Sequence, residues 1–345
     1  MSHTIITKLV DWILTFFLVI TTLWFLFTQP VFSVQKNAIN QPSVSTELLR
    51  KHVVTLIEDY SPRTVEYGNL NLTAHYIHDE LKEYGKTSYQ TYRTLTRSYS
   101  NVLLELGPNT EEILVVGAHY DAENNSLDTE GNASGVATLI ELARVLSKAK
   151  SRLPIRVHLI AYPFSQNTSE HVEYMGSYSH AEFLKSSHTK VRLMISLDSV
   201  GRFSNEKDSQ KYPLEFMNLL YPNKGNYISL IGNLKNFKEI RSFKKSFIAS
   251  SSLPVRSFSP PQISNQKRFL DHINYQLHGF PAILLTDTAE YRTPQSKDVI
   301  KQLDIDSMAL LVKGLYHTVM DSKASHLKEN LIDQNKSLVE IVRKE

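Results

Sequence analysis

Residues 117–121 read Gly-Ala-His-Tyr-Asp, and residues 131–144 read Gly-Asn-Ala-Ser-Gly-Val-Ala-Thr-Leu-Ile-Glu-Leu-Ala-Arg. The first stretch closes an apolar run, Ile113–Ala118, that reads as a buried strand. The second opens a segment with helical spacing, Ser134–Ala149. A strand, a turn and then a helix make half of a parallel-sheet unit. Side chains two apart on a strand face the same way, so His119 and Asp121 project together, and the carboxylate can orient the imidazole. Such a pair suits a structural hydrogen bond as well as it suits a metal site.

The same alternation continues outward from this block. Asn101–Leu106, Ile155–Tyr162, Val191–Asp198, Tyr227–Ile231 and Pro281–Thr286 are short apolar runs with the length of buried strands. Leu234–Phe247 and Ile305–Met320 have helical spacing. So does a helix capped by Asn71, with Ala74, Ile77, Leu81 and Tyr84 on one face and Gly85 at its end. The fold class expected is α/β, a single mostly parallel (mixed) twisted sheet sandwiched between helices. In such sheets the chemistry sits at the carboxyl ends of the strands.

Composition narrows the function classes. The 345 residues carry a net charge of +3 and no cysteine, which excludes disulfides, thiol catalysis and Cys-ligated zinc. No Lys/Arg stripe is interleaved with aromatics, so nucleic acid is not an expected partner. The basic stretch from Lys235 to Lys245 reads as the wet face of a helix. Trp12–Phe27 is uncharged and, with its flanks, approaches the ~20 residues that cross a hydrocarbon core. Trp12 and Trp24 suit the interfaces and Lys8 the cytoplasmic side. Residues 1–33 are therefore expected to be a membrane anchor or a cleaved signal segment, with Val31-Phe32-Ser33 as a place to cut. Both alternatives put the rest of the chain on the exported side. Residues 34–45 read as a linker, 46–320 as one α/β domain, and 321–345 as a charged helical tail.

The motifs around residues 117–144 resemble metallopeptidase family 28, the co-catalytic zinc aminopeptidases, whose pattern runs G-A-H-Y-D, then G-A-D-D-N-A-S-G, then L-L-E-L-A-R. Asn101-Val102, Met175-Gly176-Ser177, Ile195–Gly201, Phe280-Pro281-Ala282 and Thr286–Ala289 with Tyr291-Arg292 continue the likeness, which covers roughly residues 46–320. The resemblance implies an aminopeptidase-like fold, zinc, and peptide or protein N-termini as what the cleft receives.

The family's two-zinc site takes a His from H-x-D, a bridging Asp from G-A-D-D-N, an E-E pair, an Asp from L-D-M-V-G and a late His. His119 and Asp198 occupy their positions as residual metal ligands, with Asp121 behind His119. Gly131 stands at the bridging position and Glu130 beside it. Ser165-Gln166 replaces E-E, so the base position is a serine and a ligand position is a neutral amide. The late His is absent from Thr293–Asp298, whereas Asp271-His272 matches a D-H pair that does not bind zinc directly. Two protein ligands fall short of the three or four of a zinc site. Buried carboxylates without their cation are costly, so losing several together is physically consistent with a metal-free site. The expectation is a cleft with no zinc or weakly bound zinc, hence an impaired or inactive peptidase. The alternatives are an active exopeptidase using substituted ligands and, last, a glutaminyl cyclase. Glu130, Glu170, His171, Glu173 and His180 read as solvated loop residues rather than a rearranged metal site. Arg292 either lines the cleft or pairs with a neighbour.

Overall fold

The computed structural model describes residues 2–34, 41–64, 68–94, 97–122, 130–164, 172–259, 270–292 and 298–322. Ser165-Gln166, Glu170, His171, Thr293–Lys297, half of the linker (35–40) and the tail beyond residue 322 lie outside the described residues. The helices are α1 Ser2–Thr28, α2 Thr46–Val54, α3 Asn69–Lys82, α4 Ala133–Ser147, α5 Gly176–Ser186, α6 Met217–Leu220, α7 Phe237–Ser250, α8 Asp271–Leu277 and α9 Ile305–Met320. The strands are β1 Lys86–Arg93, β2 Ser98–Leu106, β3 Glu112–His119, β4 Arg156–Tyr162, β5 Lys190–Leu197, β6 Ile228–Ile231, β7 Val255–Phe258 and β8 Ala282–Thr286.

They form one eight-stranded sheet in the order β1-β2-β4-β3-β5-β8-β6-β7. The centre, β4-β3-β5-β8, is parallel, while β1–β2, β2–β4 and β6–β8 are antiparallel. The mixed α/β sheet between helices is thus the architecture expected. The alternating side chains of the central strands feed two cores. Leu114, Val116 and Ile195 pack with α2, α3, α4, α7 and α9 on one face, and Ile113, Val115 and Met194 pack with α5 and α8 on the other. Strands buried on both faces must be apolar at every position, which is why they are legible as continuous runs.

Two edge strands are not legible that way. β1 reads Lys-Thr-Ser-Tyr-Gln-Thr-Tyr-Arg and is half-exposed along its length, and β7 has only four residues. An edge strand with one wet face carries no apolar run. α3 starts at Asn69, behind Gly68 at φ 73°, rather than at Asn71, because glycine adopts the left-handed turn that admits the chain to the helix.

Candidate active-site cleft

β3 and β5 are parallel neighbours, with Ala118 paired to Leu197, so the residues just past that pair meet at one end of the sheet. His119 is the last residue of β3 and Asp198 follows the last residue of β5. His119 is buried, its Nδ1 3.2 Å from Asp121 Oδ1 and its Nε2 3.4 Å from Asp198 Oδ1. Burial alone would lower its pKa, but the hydrogen bonds and charges of Asp121 and Asp198 outweigh it and hold the imidazole well above its ordinary value. A charged imidazole bracketed by two carboxylates makes a charge-assisted cluster. Both ring nitrogens are occupied by it.

Asp271 and His272, at the start of α8, are buried beside this cluster. Burial raises the Asp271 carboxyl to about 7, against the opposing charge of His119 and the hydroxyl of Ser177. Burial lowers His272 to about 4, so that ring is neutral.

The Gly131–Gly135 turn stands opposite. Gly131 and Asn132 are consecutive left-handed residues, at φ 49° and 58°. Asn132 Nδ2 donates to the carbonyls of His119 and Leu197, at 3.1 and 2.9 Å, and its Oδ1 accepts Ser199 N at 2.9 Å. Ser134 Oγ accepts Val200 N at 3.0 Å. A Cβ on Gly135 would collide with the Asn132 side chain. Asn132, Ser134 and Gly135 therefore staple the turn to the ends of β3 and β5, a structural task that needs no metal.

Gly131 leaves no room for a side chain. A Cβ built on it would overlap Ala122 Cβ and stand 2.6 Å from Arg63 Nη2. Arg63 is fully buried, and its guanidinium donates to the carbonyls of Tyr120, Leu56, Glu130 and Gly131. It thereby ties the loop after β3 to the turn before α4.

Glu130 corrects one expectation. It is buried, not solvated: Oε1 accepts Ser134 N at 2.7 Å, in the first turn of α4, and among the described residues no hydrogen-bond partner reaches Oε2. Burial first, then the charge of Asp287, raises it to about 7. The backbone turns through Gly131, so this carboxylate serves the helix start. His180 is likewise buried, bonded to His158 and Tyr275, because α5 packs it against the sheet. Glu173 is exposed, as expected. Arg292 pairs with a neighbour: it donates to the carbonyls of Asp287 and Arg202 and lies 3.8 Å from Asp287 Oδ1. Asp287 accepts the amides of Gly201, Arg202 and Ala289, so it braces the loop after β5. Sequence reasoning does not single out Arg63, Asn132 or Asp287. Only their place inside recognisable motifs marks the last two, and nothing marks Arg63.

Zinc does not fit the described donors. Among the described residues, no three His, Asp or Glu side chains are grouped so as to hold one ion. The His119 and Asp198 donors face each other, and the side-chain space at Gly131 is taken by Arg63 and Ala122.

Comparison with known proteins agrees with the architecture. The signature of peptidase family M28 matches residues 101–339, more than half of the chain. YfbL of Escherichia coli, an uncharacterized protein, is 33% identical over 292 residues, covering 81% of this chain and 89% of that one. Among solved structures, the LapA aminopeptidase of Legionella pneumophila superposes with a TM-score of 0.62 at 15% identity, over 80% of this chain and 71% of that one. A glutaminyl cyclase of Bacteroides thetaiotaomicron superposes with a TM-score of 0.59 at 13% identity, over 82% of this chain and all of that one.

Proposed function

Because this chain belongs to peptidase family M28, we propose that it is a membrane-anchored, exported member whose cleft receives peptide or protein N-termini without hydrolysing them. The observation that carries this reading is the filled bridging position. Gly131 is in a left-handed conformation, its side-chain space is taken by Arg63 and Ala122, and its carbonyl accepts from the Arg63 guanidinium. Two zinc ions need a bridging carboxylate and a carboxylate base for the attacking water. The bridging position is glycine, and the base position, Ser165, is a hydroxyl that cannot replace a carboxylate. His119 and Asp198 then serve as a salt-bridged floor to the cleft, with Asp121 positioning His119.

Retention of α1 as the anchor is supported by how its end is held. Residues Ile6–Thr28 form a helix long and apolar enough to cross a bilayer. Gln29 is fully buried, its Nε2 2.8 Å from Ser259 Oγ, and the buried Lys244 ammonium donates to the carbonyls of Thr28 and Gln29. Cleavage after Ser33 would remove those acceptors together with the packing of Phe25 and Phe27 on the domain.

The test is metal content measured together with exopeptidase activity. The full chain, purified in detergent and exposed to zinc, is expected to bind less than one equivalent and to release no residues from aminoacyl substrates. Stoichiometric zinc and chelator-sensitive activity, both lost in His119→Ala, would instead establish an active exopeptidase with substituted ligands.

A further inference from the structure

The end of α1 is built into the domain instead of hanging from it. Besides the Lys244 and Gln29 bonds, Ser257 Oγ donates to Thr28 O and Arg241 Nη1 donates to Pro30 O. The Arg241 guanidinium lies 5.3 Å from the Phe25 ring centroid and 5.5 Å from that of Phe237. Phe25 faces Phe237 at 6.0 Å, and Phe27 stacks on Phe258 at 6.3 Å. The first turn of α7 and the end of β7 are therefore fastened to the last two turns of an apolar helix whose earlier residues are exposed.

This attachment fixes where a bilayer must lie. The 23-residue span is about 35 Å long at 1.5 Å per residue, slightly more than the ~30 Å hydrocarbon thickness, so Thr28 falls at the boundary. Phe25 is about one turn deeper. The α7 residues touching Phe25 then occupy the headgroup layer. Lys238, Ser242 and Lys245 are exposed there on one face of α7, and Lys235 and Leu234, the latter 44% exposed, lie in the turn that precedes it. Glu239 is the acidic residue of this stretch. The basic stretch of α7 is thus a wet face turned toward the membrane surface, except that Lys244 is buried as the cap of α1.

We propose that the α7–β7 edge is a membrane-contacting surface that takes anionic phospholipid headgroups through Lys235, Lys238 and Arg241, holding the domain edge-on against the bilayer. The proposal rests on α1 being the retained anchor. The partner is a lipid surface because the contact is continuous with the bilayer-spanning helix and its exposed side chains are basic, so anionic headgroups within a Debye length attract them. The opposite sheet edge, β1, lies seven strand spacings away, about 34 Å at ~4.8 Å each, and is held clear of the surface.

The chain has no cysteine, so single labels are unambiguous. Phe16→Cys in α1, Ser242→Cys on α7 and Lys86→Cys on β1 would each carry an environment-sensitive fluorophore in the full chain. Each is reconstituted in phosphatidylcholine vesicles with and without phosphatidylglycerol. Depth is read with quenchers attached to the acyl chain or to the headgroup. The expected result is acyl-chain quenching at 16, headgroup quenching at 242 that grows at least twofold with phosphatidylglycerol, and neither at 86. Adding Lys235→Gln and Lys238→Gln should abolish the phosphatidylglycerol increment at 242 while 16 is unchanged. Quenching at 16 with position 242 as unquenched as 86 would overturn the surface and leave the anchor standing. No quenching at 16 would overturn both. An increment at 242 that survives both glutamines would overturn the basic recognition.

Discussion

Restoring the family's bridging carboxylate, Gly131→Asp, should damage the fold without creating a zinc site. At φ 49° a side chain incurs backbone strain of about 1–2 kcal/mol. Its Cβ would meet Ala122 Cβ and Arg63 Nη2, both held inside a packed core, and such overpacking costs about 1–3 kcal/mol. The sum is roughly 2–5 kcal/mol, or a fall in Tm of roughly 3–9 °C for a domain of this size. Gly131→Ala separates sterics from charge. Alanine brings the same Cβ but no carboxylate to pair with Arg63, so it should lose at least as much stability as aspartate. Urea unfolding followed by tyrosine fluorescence measures both variants, and elemental analysis measures zinc. An aspartate variant as stable as the parent, or one binding a full equivalent of zinc, would refute the claim that the turn and Arg63 together exclude the bridge.

Other perturbations probe the remaining parts. Arg63→Met should cost about 3–5 kcal/mol, because four buried carbonyls lose their donor, and Arg63→Lys should recover little, since an ammonium cannot reproduce the planar fork. Thermal unfolding compares the two. His119→Ala should destabilise by about 3–5 kcal/mol, leaving Asp121 and Asp198 without their cation, and adding Asp121→Asn should restore part of that. A double-mutant cycle in urea gives the coupling. Two buried rings contribute stability that is lost in acid, opposite in sign to the contribution of the raised carboxyls of Glu130 and Asp271. Burial lowers His158 to about 4 and His180 in the same direction, below the ordinary 6.5, so the unfolded chain binds more protons across that interval. Stability contributed by these neutral rings is present above about pH 6.5 and is lost as pH falls toward 4. His158→Phe should flatten the slope of unfolding free energy against pH between 4 and 6.5, and an unchanged slope would remove His158 from the account.

Much of the fold is legible because buried strands and amphipathic helices write their burial into local pattern. β3, β5 and α9 lie within a residue or two of where that pattern puts them, and the turn after β3 is marked by its Gly-Asn-Ala-Ser-Gly. The edge strands β1 and β7 are not marked, since a half-wet strand has no apolar run to read. In the cleft, the sequence places His119 and Asp198 at the ends of adjacent strands, and the structure brings them within hydrogen-bond reach.

The sequence alone determined the family, the central strands of the sheet and the apolar helix α1, because each depends on residue identity at a local position. Tertiary structure decided which distant groups meet. Arg63 reaches Gly131 across 68 residues of chain, and Lys244 reaches Gln29 across 215. Glu130 and His180 are buried only because α4 and α5 pack on the sheet. Contacts of that kind arise from how distant elements are brought into register, and no local pattern of side chains encodes which cation will stand behind which turn.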